Sequence, residues 1–250
     1  MEIYIGLNKI HYLQSNKSSS NVTPILFIHG AGATHYVWLN QLKFDIPGYY
    51  QIALDLPGHG KSKGEGLKSV DAYTEFIKDF IDALSLSKVV LVGHSMGAAI
   101  ALNFAINFTN LLQKLVLVGA GAKLRVSKKI FEMVERGEVF YQYAYSPSTP
   151  KELIKQAEAE YYTTDSTVRY NDLLACDQFE AMSKIKDIKV KTLIICGQND
   201  LMTPPKYAEY LHKSIKGSNL FIIEDAGHMV LWEKPDEVNM CLKSFLQKVW

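Results

Sequence analysis

The stretch from Val89 to Ala105 places one serine where it could act as a nucleophile. The residues up to Gly93 are apolar and β-branched, which predicts a buried strand, and the small residues from Ala98 onward predict a helix. Between them, in Gly93-His-Ser95-Met-Gly97, a tight turn would hold Ser95 in strained geometry with its hydroxyl out of the sheet. Side chains at Gly93 and Gly97 would collide in such a turn. The helix N-terminus beside Ser95 favours developing negative charge.

A serine hydroxyl needs a base to remove its proton, and that base is most often a histidine held by a carboxylate. Of the seven histidines, His228 comes in a loop just after the last predicted strand, which puts it at the carboxyl edge of the sheet beside the Ser95 turn. His35 and His59 lie in loops on the same edge and remain alternatives by position. The other four are predicted to lie in the Ser95 turn, at a strand end, in the N-terminal hairpin and in an outer helix: His94, His29, His11 and His212.

The carboxylate that holds the base must lie at the same edge. Asp200 follows the strand that precedes the last one, so it can reach His228. Asp225 is a rival, but it is only three residues from the histidine and is expected to shape that loop. Asp55 is expected to fix its own Pro-Gly turn. The predicted set is therefore Ser95, Asp200 and His228, in that chain order.

The composition limits the classes of protein to which the chain could belong. A chain of 250 residues, 48% hydrophobic, is long enough for one large α/β domain with an inserted subdomain. A net charge of +1 without a basic block argues against nucleic acid as a partner. Three cysteines without metal-ligand spacing indicate neither disulfides nor a metal site. The N-terminus lacks the pattern of a signal peptide, and no apolar run is long enough to span a membrane, so a cytoplasmic protein is expected.

Apolar runs alternate with helical patterns over most of the chain, which is typical of a parallel sheet covered by helices on both faces. Ligand sites in such sheets lie at the carboxyl ends of the strands. The eight predicted strands are Glu2–Leu7, Lys9–Leu13, Pro24–His29, Gln51–Asp55, Val89–Gly93, Lys114–Val118, Lys191–Gly197 and Asn219–Ile223. The predicted helices of this part are Tyr36–Phe44, Val70–Leu84, Ala98–Ala105, Pro204–Ser214 and Pro235–Val249.

The alternation stops at residues 123–186, where three helices are predicted instead, at Ser127–Arg136, Pro150–Tyr161 and Thr167–Ala175. We expect this segment to form a helical cap over the strand ends, and residues 1–122 with 187–250 to form the core domain. An apolar substrate pocket is predicted from Leu124, Val126, Phe131, Phe140, Met202, Met229 and Val230, any of which could instead be plain core. Arg125 and Arg169 are the candidates for binding a charged substrate, although each is better explained as a surface residue.

With these residues assembled, the chain resembles the α/β-hydrolase superfamily over essentially its whole length. The resemblance rests on His29-Gly30-Ala-Gly32, Asp55-Leu-Pro-Gly-His-Gly-Lys-Ser62, the Ser95 turn, and the segments carrying Asp200 and His228. It implies an α/β-hydrolase fold with a mostly parallel eight-stranded sheet and a helical cap. It also implies an oxyanion hole made by the backbone N–H groups of Ala31 and Met96.

Short motifs around Gly30 and Ser95 resemble those of small bacterial carboxylesterases and monoacylglycerol lipases. Dehalogenases and epoxide hydrolases carry aspartate at the position of Ser95, so the serine argues against those two activities. The leading hypothesis is a serine carboxylesterase that needs no metal or organic cofactor and acts on a small-molecule ester. The alternatives are hydrolysis of a lactone, thioester, monoacylglycerol, amide or dienoate carbon–carbon bond at the same site, or ligand binding without turnover. The oligomeric state does not follow from the sequence.

Overall fold

Eight strands form a single sheet in the computed structural model, which describes residues 1–15, 21–138 and 143–247. The strands are β1 (Glu2–Ile5), β2 (Asn8–Gln14), β3 (Thr23–Ile28), β4 (Tyr49–Leu54), β5 (Val89–His94), β6 (Leu112–Val118), β7 (Thr192–Gly197) and β8 (Asn219–Ile223). Their order in the sheet is β1-β2-β4-β3-β5-β6-β7-β8. The pairings β1 with β2 and β2 with β4 are antiparallel, and the other pairings are parallel. The predicted fold class is therefore confirmed.

Helices cover both faces of the sheet. The helices of the described residues are α1 (Leu39–Leu42), α2 (Val70–Ala83), α3 (Met96–Asn107), α4 (Lys128–Glu135), α5 (Lys151–Tyr161), α6 (Ser166–Gln178), α7 (Pro205–Ser214), α8 (Val230–Glu233) and α9 (Pro235–Gln247). Buried side chains of α2, α3 and α7 form one apolar core with the sheet, and those of α8 and α9 form a second core on the other face. All six residues of β5 are buried, as expected for a strand covered on both sides.

One predicted helix is shorter than expected. The pattern of Tyr36–Phe44 predicted a continuous helix, whereas the chain forms a 3₁₀ turn at His35–Trp38 followed by the four-residue α1. The aromatic and β-branched residues at the start of this stretch are weak helix formers. Thr34 caps the turn by accepting a hydrogen bond from the Tyr36 N–H.

Residues 123–186, which we call the inserted segment, leave the sheet after β6 and return to it at β7. The three helices predicted there correspond to α4, α5 and α6. The isolated bridge between Lys123 and Glu180 closes the segment at its base. The segment therefore leaves and re-enters the sheet at nearly the same place.

Two further expectations can be compared with the described residues. The three cysteines are free thiols. Among the helices of the part of the chain that the structure describes, none has the length and apolar character needed to cross a bilayer.

Candidate active site

Ser95 stands in a strained turn between β5 and α3. Its φ of 55° and ψ of −117° lie in a region that non-glycine residues rarely adopt. A Cβ at Gly93 would lie 2.0 Å from the Gly97 carbonyl oxygen, and one at Gly97 would lie 2.3 Å from the Ile28 oxygen of β3. Both glycines are therefore required sterically, the first by the turn itself and the second by the neighbouring strand.

Ser95 and His228 both line one cavity of about 400 Å³. The inserted segment supplies much of its wall, and the loops at the carboxyl ends of the strands supply the rest. Apolar side chains on the wall include Val37, Leu124, Val126, Leu173, Met202 and Trp232. A serine and a histidine thus face the same largely apolar cavity, which is large enough for a small organic ligand.

A carboxylate holds the imidazole of His228. The His228 Nδ1–H donates to Asp200 Oδ2 at 2.8 Å. Asp200 Oδ1 accepts the N–H groups of Met202 and Thr203, each at 2.8 Å, and Thr203 Oγ1 donates to Asp200 Oδ2 at 2.8 Å. Burial alone would raise the pKa of Asp200, but the charge of His228 and these hydrogen bonds outweigh it, so the pKa lies below its usual value. Asp200 is thus an ionised, fixed partner that leaves His228 Nε2 free to act as a base.

His228 reaches the site by a longer route than the sequence indicated. The sequence predicts His228 at the carboxyl edge beside the Ser95 turn, and it lies there although β8 is three places from β5 in the sheet. The loop after β8 turns back over the ends of β7 and β6, held by a 2.8 Å hydrogen bond from the Asn199 N–H to the Ala226 oxygen. Gly119, at the end of β6, leaves room for the imidazole, since a Cβ there would lie 3.1 Å from the ring.

His94, the neighbour of Ser95, contacts His228 through a hydrogen bond and through its ring. Its Nε2–H donates to the backbone oxygen of His228 at 3.0 Å, and the two rings lie 4.8 Å apart. Burial, with a further contribution from the charge of His228, lowers the pKa of His94 to about 3. The Nε2 of His228 is buried and makes no hydrogen bond to any described residue. Contacts of this kind are often long without substrate and shorten when it binds.

The two predicted oxyanion donors flank the nucleophile. Met96 is the first residue of α3, and Ala31 lines the cavity in the loop after β3. Neither N–H finds an acceptor among the described residues. Within the described part of the chain both groups are thus unpaired, which suits donors that bind a charge formed during a reaction.

The alternative bases are engaged elsewhere. His35 Nδ1 lies 2.7 Å from Asp55 Oδ1, and His59 Nε2 lies 2.8 Å from Asp172 Oδ2. His29 Nε2 accepts the Leu56 N–H at 3.0 Å, which ties its strand end to the following loop as expected. The structure therefore brings His228, and neither His35 nor His59, to the cavity with Ser95.

Asp55 accepts a hydrogen bond within its own turn, as expected, and its carboxylate also binds the side chains of two histidines. His11 Nδ1, His35 Nδ1 and the Asp55 carboxylate lie within 4.8 Å of one another, which is close enough to hold a metal ion. The backbone N–H groups of His35 and Lys61 also donate to the carboxylate, so four donors already satisfy it. The short nitrogen–oxygen distances fit a hydrogen-bonded cluster better than a metal cage.

The predicted pocket residues are only partly found at the cavity. Leu124, Val126, Met202 and Met229 line it. Val230 instead lies fully buried in the core that α8 and α9 form with the sheet, and Phe131 packs its ring 5.4 Å from that of Tyr170. Phe140 lies outside the described residues.

The two arginines differ from each other. Arg125 is exposed at the rim of the cavity, and its Nη1 donates to the backbone oxygens of Leu124, Asp177 and Phe179. Arg169 is only 6% exposed, so its assignment to the surface was wrong. Its guanidinium stacks 4.3 Å from the centre of the Tyr161 ring, and both side chains pack against Gly32 in the loop after β3.

Three residues that the sequence did not point to hold the site together. Thr203 orients Asp200, as described above. Glu233 on α8 accepts the N–H of Gly227, just before the base, at 2.8 Å and that of Ser146 in the inserted segment at 2.7 Å. Asp172 on α6 accepts the N–H of Gly32, next to Ala31, at 2.8 Å. The pattern Asp200-x-x-Thr203 was a local signal for the first, whereas the other two act through contacts distant in sequence.

Comparison with known proteins bears on the family and the fold. The sequence profile described as "Alpha/beta hydrolase family" matches residues 25–240. The chain belongs to the alpha/beta hydrolase family. This hydrolase is 26% identical to the 2-hydroxy-6-oxo-6-phenylhexa-2,4-dienoate hydrolase of Comamonas testosteroni, an alignment that covers 96% of this chain and 91% of that one.

Solved structures show the same alpha/beta hydrolase architecture. A structure of a thermophilic esterase is 32% identical with a TM-score of 0.83, covering 99% of this hydrolase and 96% of that chain. The enol-lactonase of Burkholderia xenovorans LB400 superposes with a TM-score of 0.88 at 18% identity, covering 99% and 100% of the two chains, which bears on the fold alone. The family and its hydrolase chemistry follow, while the bond that is cleaved differs among these relatives.

Proposed function

We propose that this protein is a serine carboxylesterase, with Ser95 as nucleophile, His228 as general base and acid, and Asp200 as the carboxylate that orients and stabilises the imidazole. The single observation that carries the proposal is the meeting of a strained serine and a carboxylate-held histidine at one apolar cavity. The 32% identity with a thermophilic esterase supports an ester as the substrate. The three free cysteines are consistent with action in the cytoplasm.

The reaction would proceed through an acyl-enzyme. His228 Nε2 takes the proton of Ser95 Oγ as the oxygen attacks the ester carbonyl, and the N–H groups of Met96 and Ala31 bind the oxyanion that forms. The alcohol leaves with the proton from His228. A water molecule then gives a proton to His228 and attacks the acyl carbon, and His228 returns that proton to Ser95 Oγ as the acid leaves. Besides the ester and this water, the steps use side chains and backbone groups of this chain.

The inserted segment would act as the cap that selects the substrate. It contributes Leu124, Val126 and Leu173 to the cavity, together with the aromatic rings of Tyr143 and Tyr161. A wall of this kind favours an uncharged acyl or alcohol group by removing its apolar surface from water.

The test is hydrolysis of p-nitrophenyl esters from acetate to decanoate by the wild type and by Ser95→Ala. We expect turnover by the wild type and a loss of at least about 10³-fold in kcat for the variant, because the nucleophile is removed. Ser85→Ala is the matched control, since Ser85 also has a positive φ, of 52°, but lies in the turn after α2. A folded wild type that cleaves none of these esters would refute the carboxylesterase assignment.

Carbon–carbon bond hydrolysis is a second candidate, because curated relatives that cover 96% of this chain are dienoate hydrolases. Their substrates carry a carboxylate, which calls for a cation in the cavity. Among the described residues that line the cavity Arg125 is the arginine, and its Nη1 donates to three backbone oxygens, so the cavity suits a neutral ester better. Assay of 2-hydroxy-6-oxo-6-phenylhexa-2,4-dienoate beside the esters separates the two, since the preferred substrate has the higher kcat/KM.

Ligand binding without turnover is separated from both candidates by covalent labelling. A fluorophosphonate reacts with a serine only when a base activates it. We expect rapid labelling of wild-type Ser95 and slow labelling in His228→Ala. A wild type that labels no faster than this variant would indicate a binding protein.

A further inference from the structure

Asp172 is a fully buried carboxylate whose hydrogen-bond partners all lie outside its own helix. It belongs to α6 of the inserted segment and is 0% exposed. Its Oδ2 accepts the Gly32 N–H at 2.8 Å and lies 2.8 Å from His59 Nε2, and its Oδ1 accepts the Tyr73 hydroxyl at 2.6 Å. One carboxylate thus joins the inserted segment to the loop after β3, the turn after β4 and helix α2.

The proton positions around His59 follow from its partners. Its Nδ1 lies 3.1 Å from the Pro57 carbonyl oxygen, and its Nε2 faces Asp172. Both partners are acceptors, so both ring nitrogens carry a proton and His59 is an imidazolium paired with the Asp172 carboxylate. Removing one member of a buried ion pair leaves the charge of the other without a partner, so a substitution at either residue would strongly destabilise this cluster.

The loop that Asp172 holds contains the proposed oxyanion donor Ala31. The carbonyl oxygen of Gly30, in the peptide that bears the Ala31 N–H, accepts the Ala33 N–H at 3.2 Å and the His29 Nδ1–H at 2.9 Å. The next peptide has its Gly32 N–H on Asp172. Both peptide planes that flank the Cα of Ala31 are therefore fixed by hydrogen bonds, and the Ala31 N–H, which belongs to the first of them, is unpaired among the described residues.

We propose that Asp172 is a positioning residue for the oxyanion hole: from the inserted segment, it holds the Ala31–Gly32 peptide so that the Ala31 N–H stays directed at the developing oxyanion. The inference rests on the proposed serine-hydrolase function, since it assigns the Ala31 N–H that role. It also means that displacement of α6 changes the geometry of the catalytic centre as well as the shape of the cavity.

The first test is Asp172→Asn, which keeps the shape but replaces one acceptor oxygen with an NH₂ group. The amide offers one acceptor oxygen to the three donors and removes the charge that balances His59, so the buried cluster that holds the Gly32 N–H must rearrange. Losing an oxyanion donor outright costs about 10²–10³ in kcat, so a displaced one is expected to cost about 10-fold or more, with KM changed less than about 3-fold. Inhibition by an aryl trifluoromethyl ketone, whose serine adduct places an oxyanion in the same hole, should weaken by a similar factor.

Asp177→Asn is the matched control on the same helix. Asp177 also accepts a backbone N–H, that of Val126 at 2.9 Å, but from within the inserted segment and away from the loop after β3. We expect its kcat and its inhibition by the ketone to stay within about 2-fold of wild type. Equal losses in both variants would overturn the proposal, because they would report a general effect on the inserted segment.

Two further measurements keep the test decisive. Tyr73→Phe removes one donor to Asp172 with little change in shape, so it serves if Asp172→Asn does not fold, and it should lower kcat in the same direction by a smaller factor. The second measurement is amide hydrogen exchange of residues 29–34. Exchange should be faster in Asp172→Asn than in wild type or Asp177→Asn, and Tyr73→Phe takes the place of Asp172→Asn if that variant does not fold.

The outcomes separate this inference from the proposed function. If the wild type cleaves no ester and is not labelled by a fluorophosphonate, the proposed function fails, and the exchange result alone then decides whether Asp172 holds the loop. If the wild type is active while Asp172→Asn keeps its kcat and its exchange rates, the proposed function stands and the positioning role of Asp172 is refuted.

Discussion

At the scale of the residue, the Asp200 carboxylate divides its two oxygens between two tasks. Oδ1 accepts two backbone N–H groups of its own loop, from Met202 and Thr203, which sets the plane of the carboxylate. Oδ2 then faces His228 Nδ1 at 2.8 Å with Thr203 Oγ1 beside it. The imidazole therefore meets an acceptor that is oriented independently of it, which selects the tautomer with a proton on Nδ1 and a free Nε2.

Asp200→Asn should preserve the fold and remove most of the activity. The asparagine can still accept the loop N–H groups, but it presents its NH₂ to His228 Nδ1, so the proton moves to Nε2 and the base is blocked. We expect kcat for p-nitrophenyl butyrate to fall by about 10⁴-fold, with an unchanged circular dichroism spectrum.

Asp225→Asn is the control for that experiment, since Asp225 is the other carboxylate close to His228 in sequence. It is exposed, and its φ of 50° is one that asparagine adopts readily, so kcat should stay within about 2-fold of wild type. A larger loss in Asp225→Asn than in Asp200→Asn would assign the carboxylate role to Asp225 instead.

At the scale of the element, the residue at the end of β6 determines whether the His228 imidazole can approach Ser95. Gly119 is the first residue after β6, with a φ of 57°, and the imidazole of His228 passes over it. Gly197, the last residue of β7, plays a similar part, since a Cβ there would lie 2.2 Å from the Gly227 oxygen. A glycine at or just after the end of each of these two strands thus lets the loop after β8 lie across them.

Gly119→Ala should therefore reduce activity by more than its effect on stability explains. The added Cβ would lie 3.1 Å from the His228 ring, and a displaced base can cost about 10-fold to 100-fold in kcat. Gly6→Ala is the matched control, because Gly6 has the same φ of 57° but nothing within 4 Å of a Cβ. Both variants should lose about 1 kcal/mol in urea unfolding, and only Gly119→Ala should lose kcat. Equal kcat values for the two variants would contradict this account of Gly119.

At the scale of the whole molecule, burial of uncharged histidines ties stability to pH. Burial, followed by the charge of a neighbouring histidine, lowers the pKa of both His29 and His94 to about 3. Unfolding returns these side chains to water and to a pKa of about 6.5. Between about pH 3 and 6.5 the unfolded chain therefore binds protons that the folded protein does not bind, so folding stability falls as the pH falls.

The free energy of unfolding should be lower at pH 5 than at pH 7, by about 2 kcal/mol for each of these two histidines. His59 has the opposite effect on stability. Burial lowers the pKa of His59, but the Asp172 carboxylate more than compensates, so the pKa of His59 is raised. Its protonated form therefore stabilises the fold at pH 5. Asp55 and Asp200, whose pKa values are lowered, contribute losses only below about pH 4. Urea unfolding at the two pH values measures the net effect, and His94→Gln should reduce it. Equal stability of the wild type at both values would contradict the prediction.

The sequence by itself determined the parts of this protein that depend on neighbours in the chain. The apolar runs specified the central strands β3 to β7 to within a few residues, because a strand buried on both faces must be apolar along its length. The spacing of Gly93, Ser95 and Gly97 specified the tight turn at Ser95, although the contact that requires Gly97 comes from the neighbouring strand β3. The 3₁₀ turn at His35–Trp38 was missed, because weak helix formers leave the outcome to packing.

Only the tertiary structure decided which distant segments meet. It carried His228 back across two strand ends, placed Val230 in the core rather than at the cavity, and buried Arg169 against Tyr161. It also joined Asp172 to the Gly32 N–H, across 140 positions of sequence. Such contacts leave no periodic trace along the chain, since they depend on how helices and loops stack on the sheet, and that stacking is set by the packing of the whole molecule.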